Sequence, residues 1–131
     1  MKLGGVLNHQ LSMVIAEMGH TDGLTVADAG LPVPIGVDRI DLAVSKGVPS
    51  FAQVVEAVAS ELKVEAIVVA REASDANPEA LRTIETWFPG VPVTSVSHVE
   101  FKALTRQTRA VVRTGECTPY ANVILRSGVI F

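Results

Sequence analysis

A chain of 131 residues with 48% hydrophobic residues has the length and apolar content of one domain with its own core, residues 1–131. Its net charge of −3 and scattered basic residues argue against a nucleic-acid partner. Apolar runs of a few residues are too short for a membrane span of about 20, and the start lacks the pattern of a signal peptide. The single cysteine, Cys117, excludes an internal disulfide. We expect a cytoplasmic protein, free of membrane and nucleic acid.

The first predicted element is a helix whose apolar residues repeat at the spacing of one face, Leu11, Val14, Ile15 and Met18. Asn8 is a plausible N-cap and Gly19 a plausible C′ residue. Residues 24–27 then read as a short strand that delivers Asp28. The strand cannot continue through residues 29–34, because two prolines there remove backbone donors.

The rest of the chain alternates between strand and helix patterns. Strands are predicted at residues 40–44, 66–70, 91–96, 110–112 and 121–125, and helices at 50–62, 78–88 and 98–106. Asn77-Pro78 supplies an N-cap and an N1 proline, and Ser97-His98-Val99-Glu100 matches a capping box. The alternation predicts a single-domain layered α/β fold with a mostly parallel central sheet flanked by helices.

Ligands of such folds gather outside the carboxyl ends of the strands. That rule selects Asp28, Glu72, His98 and residues 114–116. Common cofactor and metal motifs are absent: there is no glycine-rich dinucleotide turn, no P-loop and no paired-histidine motif, and the three histidines are scattered. We therefore expect no cofactor and no metal, although spacing alone selects no mechanism.

Most of the polar residues can be interpreted in two ways. His20 and His98 are either helix-end residues or catalytic groups, and His9 reads as a surface residue. Asp28 either caps a turn or faces the ligand crevice. Tyr120 and Asn122 lie on one face of a strand, with Ala121 opposite, and form either a hydroxyl-reading pair or a core tyrosine beside a turn asparagine.

Taken together, these segments resemble the D-ribose pyranase family of sugar mutarotases. The resembling stretches are residues 5–8 (GVLN), 19–22 (GHTD), 27–34 (ADAGLPVP), 39–42 (RIDL), 47–51 (GVPSF), His98 with 101–102 (FK), 113–125 (RTGECTPYANVIL) and 128–131 (GVIF). They cover the chain from end to end, apart from a variable middle near residues 71–95.

The resemblance implies an enzyme that interconverts pyranose, furanose and anomeric forms of free D-ribose without a cofactor. It implies that His20 is the catalytic acid, and that the sugar is bound by Asp28, His98, Tyr120, Ala121 and Asn122. Whether Asp28 orients His20 or only binds the sugar stays open, as does the second proton-transfer group, for which His98 is a candidate. The family also implies a homo-oligomer, a decamer of ring-shaped pentamers.

Two alternatives remain. Fucose mutarotases share the Gly-His and Asp-Ala elements, but they lack the full sequence of residues 30–34 and usually have glycine where Ala121 stands. A non-catalytic ribose-binding accessory protein of a sugar uptake system would bind the sugar without accelerating its exchange. A nucleotide-binding domain is disfavoured by the missing glycine-rich turn.

Overall fold

A computed structural model describes residues 1–131, which form six strands and five α-helices. The strands are β1 Gly23–Ala27, β2 Asp38–Asp41, β3 Val64–Ala70, β4 Val93–Val96, β5 Thr108–Arg113 and β6 Val123–Ser127. The helices are α1 His9–Glu17, α2 Phe51–Ala59, α3 Ala73–Ala76, α4 Pro78–Trp87 and α5 His98–Leu104, followed by a 3-10 turn at Thr105–Gln107. None of these helices has the length and apolarity to cross a membrane.

The strands form one sheet in the order β2-β5-β1-β6-β3-β4. Of its five strand pairs, three are parallel: β1 with β5, β5 with β2, and β3 with β4. The other two are antiparallel, because β6 runs against both β1 and β3. The predicted mostly parallel sheet is thus confirmed. Because β6 is reversed, the residues before it lie at the same edge as the residues after the other five strands.

Both faces of the sheet are covered. One face packs against α1, α2 and α4 through a cluster that includes Leu11, Val55 and Ile84, and the other packs against α5 through Phe101. Every residue of β1 is buried, as expected for a central strand covered on both sides. The predicted layered fold is confirmed.

The helix starts agree with the sequence prediction. Asn8, Ser50, Asn77 and Ser97 each accept a hydrogen bond from a backbone N–H of the first turn, and Ser50 and Ser97 form complete capping boxes. Pro78 occupies the first turn of α4. Gly19 follows the C-cap Met18, but without the positive φ that a left-handed cap has.

Several boundaries differ from the prediction. The second strand was predicted at 40–44 but runs Asp38–Asp41, because its ladder pairs Asp38 with Ala110 and ends at Asp41 opposite Arg113. The last strand was predicted from Ala121 but begins at Val123. The short helix α3 was not predicted at all.

Candidate active site

A cluster of polar side chains lies at the end of the sheet where β1, β3, β4 and β5 finish, which we call the carboxyl edge. Asp28 follows β1, Glu72 follows β3, His98 follows β4 and Thr114 follows β5. The segment of residues 120–122 joins them because β6 starts at this edge. The structure therefore places the residues selected by the carboxyl-end rule, together with Tyr120 and Asn122, along one edge.

Asp28 and Asn122 are joined by two hydrogen bonds. Oδ1 of Asn122 accepts from the backbone N–H of Asp28 at 2.9 Å, and Nδ2 of Asn122 donates to Oδ2 of Asp28 at 2.8 Å. Asn122 is 2% exposed, whereas Asp28 is half-buried. The other carboxylate oxygen of Asp28 accepts from the backbone N–H of Gly30 at 2.9 Å. The asparagine thus fixes the direction of a carboxylate that still reaches the surface.

The loop after β5 supports the same aspartate. Thr114 is fully buried and donates its hydroxyl to the carbonyl of Ala27 at 2.8 Å. The backbone N–H of Ala29 donates to the carbonyl of Glu116 at 2.8 Å. The main chain on both sides of Asp28 is therefore tied to the loop, as a preorganised binding residue requires.

His98 lies between two aromatic rings. Its imidazole stacks on Phe101 at 6.3 Å between centroids and meets the edge of Tyr120 at 5.1 Å. Its backbone N–H donates to both carboxylate oxygens of Glu72 at 3.0 Å. That hydrogen bond holds the pKa of Glu72 below its usual range. The Nδ1 atom of His98 is buried and has no hydrogen-bond partner.

Tyr120 has an unusual backbone conformation. Its φ of +57° lies in the left-handed region, which non-glycine residues seldom occupy and which clusters at functional sites. Asn122 donates its backbone N–H back to the carbonyl of Tyr120 at 2.9 Å. The tight turn sends the Tyr120 ring to the α5 side of the sheet and the Ala121 side chain into the opposite core cluster. Ala121 is 1% exposed, so its methyl group serves the core.

A depression of about 390 Å³ opens beside Asp28, within the range of roughly 300–1,000 Å³ that small-molecule pockets span. Its lining consists of Asp28, Ala29, Gly30, Glu116, Cys117, Thr118 and Pro119. The depression is open to solvent, and two of its lining residues, Asp28 and Glu116, carry carboxylates. His98 and Tyr120 are not among its walls, so one subunit alone does not enclose all the predicted sugar-binding groups in one pocket.

His20 lies at the opposite end of the strands, where β1, β3 and β5 begin. It precedes β1, and its Nε2 atom lies 3.0 Å from both carboxylate oxygens of Glu65, near the start of β3. The five residues of β1 separate it from Asp28, and at about 3.3 Å per residue that is a distance of roughly 16 Å. Within one subunit, therefore, Asp28 does not orient His20.

No group of three or more histidine, cysteine, aspartate or glutamate side chains is arranged to hold a metal ion. Carboxylates at the carboxyl edge are already used as hydrogen-bond acceptors: Glu72 accepts from His98, and Glu116 accepts from Phe51 and Thr118. The arrangement is suited to binding hydroxyl groups and moving protons.

Comparison with known proteins places the chain in a family. The model of the RbsD / FucU transport protein family matches residues 1–130. The chain belongs to this family. Two relatives are similar to this chain from end to end. A D-ribose pyranase of Symbiobacterium thermophilum is 55% identical over 131 residues, covering 100% of both chains. A D-ribose pyranase of Geobacillus kaustophilus is 53% identical, covering 100% of this chain and 96% of the relative.

A solved RbsD / FucU structure superimposes closely. The structure of Bacillus subtilis RbsD complexed with D-ribose has a TM-score of 0.96 and 46% sequence identity, and the match covers 100% of both chains. The sequence-based resemblance to the D-ribose pyranase family is thereby confirmed.

The structure brings together five of the six site residues predicted from the sequence. Asp28, His98, Tyr120, Ala121 and Asn122 share the carboxyl edge, and His20 alone lies at the other edge. Sequence reasoning missed Glu65, the partner of His20, and it gave no role to Phe101, the ring that stacks on His98. The pattern His98-x-x-Phe101 is the spacing of neighbours on a helix face, so it was a usable signal for the stack. Glu65 carried no signal, because its contact with His20 spans 45 residues.

Proposed function

We propose that this protein is a D-ribose pyranase that interconverts the pyranose, furanose and anomeric forms of free D-ribose. The observation that carries the proposal is full-length identity of 53–55% to proteins named D-ribose pyranase, together with the 0.96 TM-score to a ribose-bound relative. The carboxyl edge supports it, because it offers a fixed carboxylate, an imidazole and a phenol to sugar hydroxyls.

The chemistry needs only proton transfer. Opening the hemiacetal removes the proton of the anomeric hydroxyl and adds one to the ring oxygen, and the aldehyde recloses through another hydroxyl or onto its other face. Imidazoles donate and accept protons near neutral pH. We assign His20 as the acid and Asp28, His98, Tyr120, Ala121 and Asn122 as the sugar-binding residues. His98 is the candidate for the second proton-transfer group.

We further propose that each site forms between two subunits. His20 and the sugar-binding groups lie at opposite edges of one sheet, too far apart to act on one ribose. The edge that bears His20 also bears the end of the chain, where Ile130 and Phe131 are 89% and 102% exposed. Burial of such side chains against a neighbour would remove apolar surface from water. A closed ring that joins unlike edges supplies both halves to every site.

The proposed assembly is a decamer of ring-shaped pentamers, and the proposed location is the cytoplasm. Light scattering should give ten times the 13.9 kDa chain mass. A fully active monomer would contradict both the assembly and the shared site.

Saturation-transfer NMR on free ribose tests the activity. The wild-type protein in catalytic amounts should accelerate exchange between pyranose and furanose signals. His20→Ala should lose most of this acceleration, whereas His9→Ala should keep it, because His9 is an exposed residue at the start of α1. Saturable ribose binding without acceleration would favour the accessory-protein alternative. Faster exchange of L-fucose than of ribose would favour the fucose mutarotase alternative.

Mixed assemblies test the shared site. His20→Ala and His98→Ala subunits should each be nearly inactive alone. When they are co-expressed in equal amounts, about a quarter of the sites at a head-to-tail interface receive both wild-type histidines. Activity should therefore return to a substantial fraction. A mixture no more active than its components would show that both histidines serve one site from the same subunit.

A further inference from the structure

The contact between His20 and Glu65 defines which imidazole nitrogen carries a proton. Nε2 of His20 lies 3.0 Å from Oε1 and 3.0 Å from Oε2 of Glu65. A carboxylate only accepts hydrogen bonds, so Nε2 is the donor. In the neutral imidazole, Nδ1 is then the nitrogen with the free lone pair. Glu65 makes no other side-chain hydrogen bond or ion pair.

The backbone on both sides of His20 is held by β6 and by its own turn. The backbone N–H of Gly19 donates to the carboxylate of Asp22 at 2.9 Å, and that of Thr21 donates to the carbonyl of Ser127 at 2.9 Å. The hydroxyl of Ser127 donates to the carbonyl of Gly19. With the main chain fixed, the remaining freedom of His20 is the rotation of its side chain, which Glu65 restrains.

Glu65 is itself packed in place. A Cβ atom added to Gly128 would lie 3.0 Å from Cβ and 3.2 Å from Oε2 of Glu65. The backbone N–H of Gly128 also donates to the carbonyl of Lys63 at 2.8 Å. Because Gly128 has no side chain, it leaves space for the side chain of Glu65.

Other charges near the turn are directed elsewhere. Asp22 pairs with Arg109 of β5 at 2.9 Å, and Arg126 of β6 donates to the carbonyl of Thr21 at 3.4 Å. Glu65, from β3, is therefore the carboxylate that meets the imidazole of His20. Both side chains are partly exposed, at 54% for His20 and 39% for Glu65, so a sugar brought by a neighbouring subunit has access to the ring.

We infer that Glu65 is a positioning residue for His20: it holds a proton on Nε2 and leaves Nδ1 as the atom that exchanges protons with the sugar. This inference rests on the proposed ribose pyranase activity. In the opening step, the imidazolium form of His20, protonated on both nitrogens, gives its Nδ1 proton to the ring oxygen as the bond from that oxygen to C1 breaks. The anomeric hydroxyl loses its proton to the second group, for which His98 is the candidate, and C1 becomes the aldehyde carbon. The Nε2 proton stays on the imidazole of His20 throughout, hydrogen-bonded to Glu65.

Substitutions at position 65 separate orientation from charge. Glu65→Ala should lower the exchange rate at saturating ribose about tenfold, a part of the roughly 10²–10⁴ that a positioned acid–base group contributes. Glu65→Gln should lose less, because its carbonyl oxygen still accepts from Nε2–H. The apparent KM should stay unchanged in both. Glu56→Gln, which removes an exposed carboxylate of α2, is the matched control and should behave as wild type. No loss in Glu65→Ala, or equal losses in both variants, would overturn the inference.

The tautomer is measured without reference to activity. The chain has three histidines, so histidine-selective ¹⁵N labelling gives three imidazole patterns, and the variant that lacks His20 assigns its signals. Long-range proton–nitrogen spectra at a pH where the ring is neutral should show the Nε2–H form in wild type and Glu65→Gln. Glu65→Ala should show a mixture of both forms. An unchanged His20 pattern in Glu65→Ala would overturn the inference.

A double variant separates this inference from the proposed function. If Glu65 acts through His20, Glu65→Ala should have no further effect in the His20→Ala background. Additive losses would overturn the positioning role. A wild-type protein without exchange activity would instead overturn the proposed function, and the tautomer measurement would still report on the contact.

Discussion

Asn122→Ala removes the only side-chain link between Asp28 and the residues that precede β6. The asparagine is 2% exposed and makes two hydrogen bonds to Asp28, at 2.9 Å to its backbone N–H and 2.8 Å to its carboxylate. Alanine leaves that N–H without an acceptor, and it leaves one carboxylate oxygen without its donor.

The size of the loss follows from these two bonds. A buried donor left unsatisfied costs about 1–3 kcal/mol, and a hydrogen bond to a charged group contributes about 1.5–3 kcal/mol. Asp28 is half-buried, so water replaces part of what its carboxylate loses. We therefore expect the free energy of unfolding to fall by roughly 2–4 kcal/mol. Ribose should also bind about tenfold more weakly, about 1.4 kcal/mol, because the carboxylate is no longer held in direction.

Urea unfolding at one fixed protomer concentration measures the stability, since the stability of an oligomer of the proposed kind depends on concentration. Calorimetric titration with ribose measures the affinity. Asn8→Ala is the control: it deletes the N-cap of α1, should cost about 1 kcal/mol, and should leave ribose affinity unchanged. In an Asp28→Ala background, Asn122→Ala should weaken binding less than it does in the wild-type background, because only its own contact with the sugar remains to be lost. Wild-type stability and affinity in a folded Asn122→Ala protein would refute the reasoning.

Three other predictions follow from the structure. Tyr120→Phe should weaken ribose binding and leave thermal stability nearly unchanged, since the Tyr120 hydroxyl makes no hydrogen bond within the subunit and the ring keeps its contact with His98; unchanged affinity would remove the phenol from the site. Exchange activity should survive exhaustive chelation, and rescue of a chelated sample by one divalent ion would contradict this. The pKa of Asp22 is lowered by its hydrogen bond from Arg109 and that of Glu72 by the N–H of His98. The pKa of each carboxyl group is therefore lower in the folded state than in the unfolded state. The stability that these two groups contribute is present above about pH 4 and is lost as the pH falls through their folded-state pKa values. Melting temperature should drop below that pH, and less steeply in Glu72→Gln.

Helix starts could be predicted because their determinants are local. The side chains of Asn8, Ser50, Asn77 and Ser97 bond to backbone groups three residues further on, so each cap is complete within one turn of sequence. The boundaries of β2 could not be predicted in this way. Its limits are set by pairing with β5, about 70 residues later in the chain, and no local pattern encodes that register.

The site was predictable to the extent that it follows the direction of the strands. Asp28 and His98 each follow a strand of the parallel set, so the carboxyl-end rule brings them to one edge. The roles of the individual residues at that edge were harder to predict from the sequence. The sequence suggested that Asn122 reads sugar hydroxyls, but in the structure both of its amide atoms are engaged with Asp28, so within the subunit it acts on the aspartate first.

The position of His20 shows why resemblance and topology have to be combined. Its motif marks it as catalytic by resemblance, whereas the strand that separates it from Asp28 rules out a shared site within one subunit. The two statements agree in the proposed assembly, where the ends of the strands in neighbouring subunits meet. The hydrogen bonds that fix the carboxyl edge, from Asn122 to Asp28 and from His98 to Glu72, are complete in a single chain. The contact that prepares His20, with Glu65, is complete there too. Each edge is therefore built within one chain, and the proposed assembly would only have to bring two finished halves to the same sugar.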